Sequence, residues 1–121
     1  MIKGIKFASI PVRDQNKALE FYTQKLGFQV QTDQAMGPGQ RWIELKIPGA
    51  DTMVVLFTME EHKEWIGKQQ NLVFWADNVE KTYAELVGRG VTFAHPPKKE
   101  PWGTFTTFAD PDGNKFVLGT K

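Results

Sequence analysis

Cysteine is absent, so the chain has no disulfide, no thiolate nucleophile and no sulfur ligand for a metal. A reducing compartment, the cytoplasm, is the expectation that fits. Histidine is nearly absent, with His62 and His95 the only imidazoles. His62 falls in a charged segment and His95 just before two prolines, and both read as solvated surface residues. No histidine is placed near Ser9, which argues against a nucleophilic triad. Neither charge is in surplus: 15 Lys and Arg face 14 Asp and Glu, and the only basic pair, Lys98-Lys99, is followed at once by Glu100. A groove tracking phosphates is not expected from such a balance, nor is a nucleic-acid partner. Apolar runs fall well short of the roughly 20 residues of a membrane span. Arg13 and Asp14 interrupt the first segment before a signal-peptide core could form.

What the sequence does contain is one pattern stated twice. The first copy reads as an apolar strand (Ile5 to Val12), Asp14, an amphipathic helix through Ala18, Leu19, Tyr22 and Leu26, then Gly27 and a new strand. The second reads as a strand (Leu72 to Ala76), Asp77-Asn78, a helix through Val79, Tyr83, Leu86 and Val87, then Gly90 and another strand. A unit this long, occurring only twice, predicts one pseudo-symmetric domain rather than a solenoid. At 121 residues the chain has room for one such domain, burying roughly two-thirds of its unfolded surface.

Between these landmarks, strands are expected over about residues 28–33, 41–47 and 53–58, and a short helix over 60–67. A proline-rich loop from His95 to Trp102 precedes two strands joined by the Asp110-Pro111-Asp112-Gly113-Asn114 turn. Pro11 cannot donate to a ladder and belongs near a strand end or on an edge. The predicted class is α+β, with two tandem βαβββ modules, about 1–59 and 70–121, joined by a short helical linker over 60–69 and forming a curved sheet cleft.

That order, with Val12-Arg13-Asp14, Phe21-Tyr22, Leu26-Gly27-Phe28 and the aspartate-rich turn, resembles the vicinal oxygen chelate superfamily, which includes glyoxalase I, extradiol dioxygenases and bleomycin-resistance proteins. The resemblance spans essentially the whole chain. It implies a divalent metal held by residues of the first and fourth strands of each module and acting as a Lewis acid. Carried over position by position, the ligand places fall on Phe7, on Val54 or Leu56, on Asn71 and on Val117. None is a good donor for a transition metal, so no metal and no other cofactor is expected.

Strand alternation directs Phe7, Ser9, Trp42 and Glu44 to one side of the first module. It directs Asn71, Val73, Trp75, Phe105 and Thr107 to one side of the second. With Leu56 and Val117 from the former ligand places, Arg41 as a partner for Glu44, and Trp102 as a lid at the end of the proline-rich loop, these form the candidate ligand-binding set. Glu44 is the one inward carboxylate and so the candidate general base. Two readings of the aromatic residues stand: walls of a small-molecule pocket, or filling for a closed cleft. The resemblance implies a homodimer. It leaves two functions in view: metal-free binding of a small organic molecule, or a glyoxalase I-type metal-dependent lyase or isomerase.

Overall fold

A computed structural model describes residues 1–121, which fall into two compact units, Met1–Ile66 and Gly67–Lys121. The fold is mixed α+β, with one sheet in each unit and few helices. No helix is long and apolar enough to cross a membrane.

In the first unit, β1 (Phe7–Pro11), β2 (Gln29–Ala35), β3 (Arg41–Lys46) and β4 (Met53–Phe57) form a sheet in the order β1-β4-β3-β2. Pro11 is the last residue of an edge strand, where its missing N–H costs no ladder bond. Asp14 starts α1 (Gln15–Glu20): its Oδ1 accepts from the N–H groups of Asn16 and Lys17 at 2.9 and 3.0 Å. The helix does not continue regularly to Gly27 as the sequence pattern suggested. Phe21–Lys25 forms a π-helical turn, closed by Leu26 N–H donating to the Phe21 carbonyl. Phe21 and Tyr22 are both buried, their rings edge to face at 5.0 Å. Gln15, also buried, pins this helix to the sheet, its Nε2 donating to the carbonyls of Arg41 (2.8 Å) and Leu56 (3.0 Å). Ile10, Val12, Ala18, Tyr22, Ile43, Leu45, Val54, Val55 and Leu56 are the unit's fully buried apolar side chains. A 3-10 helix, Glu60–Trp65, follows β4.

In the second unit, β5 (Gln69–Trp75), β6 (Thr92–Phe93), β8 (Gly103–Ala109) and β9 (Lys115–Gly119) run in the order β5-β9-β8-β6. The proline-rich segment is not all loop. It contains β7 (Lys98–Glu100), antiparallel to β8 with Lys98 opposite Phe105 and Glu100 opposite Gly103. Pro97 and Pro101 bracket this strand, and the missing N–H of Pro101 ends its ladder. The unit's only α-helix, α2 (Val79–Gly88), starts on Asn78, whose Oδ1 accepts from Lys81 N–H at 3.0 Å. The core is a cluster of Phe74, Phe108 and Phe116 with centroids 5.4 to 6.0 Å apart, beside Leu86 and Leu118.

Candidate functional site

Ladder register decides which side chains share a face, because residues directly opposite in neighbouring strands point the same way. In the first unit Ser9 is opposite Val55, Val55 opposite Glu44 and Glu44 opposite Thr32, forming one row. Phe7 and Trp42 share this side and meet edge to face at 5.5 Å. Phe7, Ser9, Trp42 and Glu44 are therefore brought to one face.

Two expected members are not. Leu56 is opposite Ile10 and Ile43, fully buried on the other side of the sheet. The residue of β4 in phase with Ser9 is Val55, so Leu56 and Val54 are both corrected as occupants of that place. Arg41 also points away from Glu44. Its Nε and guanidinium nitrogens donate to Asp33 Oδ1 (3.0 Å), Asp33 Oδ2 (2.6 Å) and Asn16 Oδ1 (2.5 Å). The Arg41–Glu44 pairing expected from the sequence does not form. Glu44 itself makes no hydrogen bond or ion pair that would activate it as a base.

The Arg41 contacts hold the Asp33 carboxyl below the usual carboxylate range, first through the hydrogen bonds and then through the charge. The folded-state value is the lowered one. The pair therefore stabilises the protein above the unfolded Asp value of about 3.9 and loses that contribution as pH falls through the folded value. Both side chains are about one-third exposed, at 31% and 30%. Asp33→Asn is accordingly expected to cost less than about 1 kcal/mol at neutral pH, and progressively less as pH falls through the folded value, as read by urea denaturation over a series of acidic pH values.

The histidines are not simply solvated. His62 stacks on Trp65 at 4.4 Å with rings 10° apart and meets Phe57 edge to face at 5.2 Å. Its Nδ1 is buried without a partner. In a 3-10 helix residues three apart eclipse, so the spacing of His62 and Trp65 was the signal available in the sequence. His95 meets Phe105 edge to face at 5.6 Å, and its Nδ1 donates to the Pro96 carbonyl at 2.7 Å.

In the second unit, β5, β9 and β8 place Val73, Val117 and Thr107 in one row and Trp75, Gly119 and Phe105 in the next. Asn71 precedes Val73 on the same side of β5 and is exposed. Trp102 lies over Phe105, centroids 5.3 Å apart and rings 28° from parallel. Gly119 offers no side chain between Trp75 and Phe105, whose strands lie two spacings apart, about 10 Å. Gly119 is itself buried, so the side chains around it close over the strand at this point. Val73, Trp75 and Trp102 are 68%, 54% and 67% exposed, while Phe105, Thr107 and Val117 are half-buried and Gly119 is buried.

Two cavities, of about 530 and 450 Å³, lie elsewhere in the first unit and share Arg13, Gly39, Gln40 and Thr58. The larger adjoins Arg41, whose charge Asp33 already matches.

The donor set does not suit a divalent metal. At the places the resemblance assigns to ligands stand Phe7, Asn71, Val117 and, in β4, Val54 or Leu56, with Val55 the residue that the register puts in phase with Ser9; all are hydrocarbon side chains but for one carboxamide. Nor do three His, Asp or Glu side chains converge anywhere else in the structure.

Comparison with known proteins places the chain among relatives of the same length and topology. It is 37% identical over 118 residues to the uncharacterized protein YetH of Bacillus subtilis (strain 168), covering 98% of each chain. A superfamily member from Sphaerobacter thermophilus DSM 20745 superposes with a TM-score of 0.89 at 36% identity, covering 99% of this chain and 98% of the other. TnmS3, an antibiotic binding protein from Streptomyces sp. CB03234, superposes with a TM-score of 0.86, also at 36% identity, covering 98% and 96%. The family model for the Glyoxalase/Bleomycin resistance protein/Dioxygenase superfamily matches residues 4–118, and with the doubled sheet described above the chain belongs to that superfamily.

Proposed function

We propose that this protein binds a small organic molecule with a flat ring, without the metal other members of its superfamily use, and that it sequesters rather than transforms that molecule. The observation that carries the reading is the exposure of Val73, Trp75 and Trp102 in the second unit, with Trp102 stacked on the half-buried Phe105. An apolar face this exposed favours an occupant, and large rings with a few polar groups at hand (Asn71, Thr107) match the chemistry of small-molecule sites. The similarity to TnmS3, an antibiotic binding protein, supports the same reading. On the second unit's face Val117 is assigned to ligand contact, with Trp102 as the cover; on the first unit's own face Phe7, Ser9, Trp42 and Glu44 are assigned to ligand contact. Glu44, without an activating neighbour, is assigned contact rather than proton transfer.

In this reading the protein acts in the cytoplasm as a homodimer, a twofold pair being the ordinary way to bury a self-complementary apolar surface. A native mass spectrum of the untagged protein is expected at the mass of two bare chains. Trp102→Ala is expected to weaken a planar aromatic probe such as naphthamide about five- to tenfold by calorimetry, the size of a lost ring stack with its buried area. Unchanged affinity would remove Trp102 from the site. Glyoxalase activity that appears on adding nickel or zinc would replace the binding function with the lyase reading.

A further inference from the structure

The face that carries Trp75 and Phe105 also carries charge of one sign. Lys98 is opposite Phe105 and so points to the same side of the sheet. Lys115 is opposite Ala109 and shares the phase of Val117 and Gly119, which brings it to that side as well. Lys121 extends the same strand phase, and its Nζ sits 4.7 Å from the centroid of the Trp75 ring. Lys98 and Lys115 are exposed. Across all five strands of the unit the only carboxylate is Glu100, opposite Gly103 at the margin. Three ammonium groups against one carboxylate bias a face whose remaining side chains are rings, small aliphatics and amides.

That bias is local, since the whole chain carries a formal charge of only +1. Its one structural contact is the Lys121 ammonium on the Trp75 ring. None of Lys98, Lys115 and Lys121 is paired with a carboxylate. Lysines that hold no carboxylate and flank aromatic walls recognise a negative group attached to a flat ring: the ring stacks, and the ammonium groups meet the anion at its edge.

We infer that the ligand of this face is a planar aromatic anion, a ring system carrying a carboxylate, sulfonate or phenolate, and that Lys98, Lys115 and Lys121 select it over neutral and cationic analogues. This rests on the binding function proposed above and names the chemical class of its ligand. Lys121 already covers one side of Trp75, so the anion approaches from the side where that ammonium can swing onto it, exchanging a cation–π contact for an ion pair.

The test uses three probes of one shape: 2-naphthoate, 2-naphthamide and 2-naphthylmethylammonium. Calorimetry on the intact protein at low ionic strength is expected to rank them in that order, with naphthoate about tenfold tighter than the amide. Raising salt to several tenths molar should erase most of that margin, because screening acts on the charge and not on the stack. The double variant Lys98→Gln/Lys115→Gln should lose about tenfold in naphthoate affinity while its naphthamide affinity stays within about twofold. Equal affinities for anion and amide, a preference for the ammonium probe, or a naphthoate affinity the double variant leaves unchanged would overturn the anion inference and leave the aromatic site standing. Failure of all three probes to bind would overturn the site itself, and the inference with it.

Discussion

Asn114→Ala is expected to destabilise the protein by about 3–4 kcal/mol, measured as a fall in the urea midpoint without a change in slope. Asn114 is fully buried and its side chain fastens the start of the second unit to the β8–β9 turn. Its Oδ1 accepts from Gly67 N–H at 2.8 Å and from Gln70 Nε2 at 3.0 Å, while its Nδ2 donates to Asp110 Oδ2 at 2.9 Å. Asp110 Oδ1 meanwhile accepts from the N–H groups of Asp112 and Asn114. Alanine removes three side-chain bonds at once, inside a site too tight to return them to water. Each is worth roughly 1 kcal/mol net, and more when a buried partner is left short. Asn114→Asp separates hydrogen bonding from charge. It keeps the oxygen that accepts from Gly67 and Gln70 but replaces the donating Nδ2 with an oxygen set against the Asp110 carboxylate, a like-charge contact that disfavours ionising both. Its stability should therefore recover as pH falls through the carboxylate range, where the folded state takes up the proton. A cost under about 1 kcal/mol for the alanine variant would mean that the turn is held by backbone bonds alone.

This network was visible in the sequence only as a turn. Asp110-Pro111-Asp112-Gly113-Asn114 announces a hairpin, but nothing in it says that Asn114 reaches back to Gly67 and Gln70, more than forty residues earlier. Faces were legible wherever strands alternate. Ile43 and Leu45 against Trp42 and Glu44 fixed the phase of β3, and the rows Trp75–Gly119–Phe105 and Val73–Val117–Thr107 came out as the parity of each strand required. Alternation gave no phase for β4, because Met53-Val54-Val55-Leu56-Phe57 is apolar throughout. Only its parallel pairing with β1 shows that Val55 and not Leu56 belongs with Ser9. Arg41 was misassigned for a different reason: it was paired with Glu44 although the two differ in strand parity. It is in fact the first residue of β3, one position out of phase, and Asp33 on the neighbouring strand holds its charge. Local propensity likewise hid β7, since three polar residues between prolines carry no strand signal until β8 offers them a ladder.

Gly103→Ala is expected to cost about 2–3 kcal/mol and to weaken binding of a planar aromatic probe in the same variant. Gly103 opens β8 at φ +146°, a conformation that L side chains rarely adopt. A Cβ there would land on Thr120 Oγ1, far inside van der Waals contact. That oxygen accepts from Thr104 N–H at 3.1 Å, and Thr120 N–H donates to the Thr104 carbonyl at 3.0 Å, so moving Thr120 aside disturbs the end of the β8–β9 ladder. Trp102 is the residue immediately before, and its stack on Phe105 depends on the direction the chain takes through Gly103. Pairing the substitution with Thr120→Ala separates the two costs. The double variant should recover about 1 kcal/mol of the steric part and keep the backbone strain, a coupling a double-mutant cycle measures directly. Binding supplies the functional half of the test. If Trp102 covers the ligand, probe affinity should fall in Gly103→Ala by about the same factor as in Trp102→Ala. A protein that loses stability at Gly103 yet binds the probe as tightly as before would show the indole to be a peg on Phe105, with the ligand held by Trp75 alone.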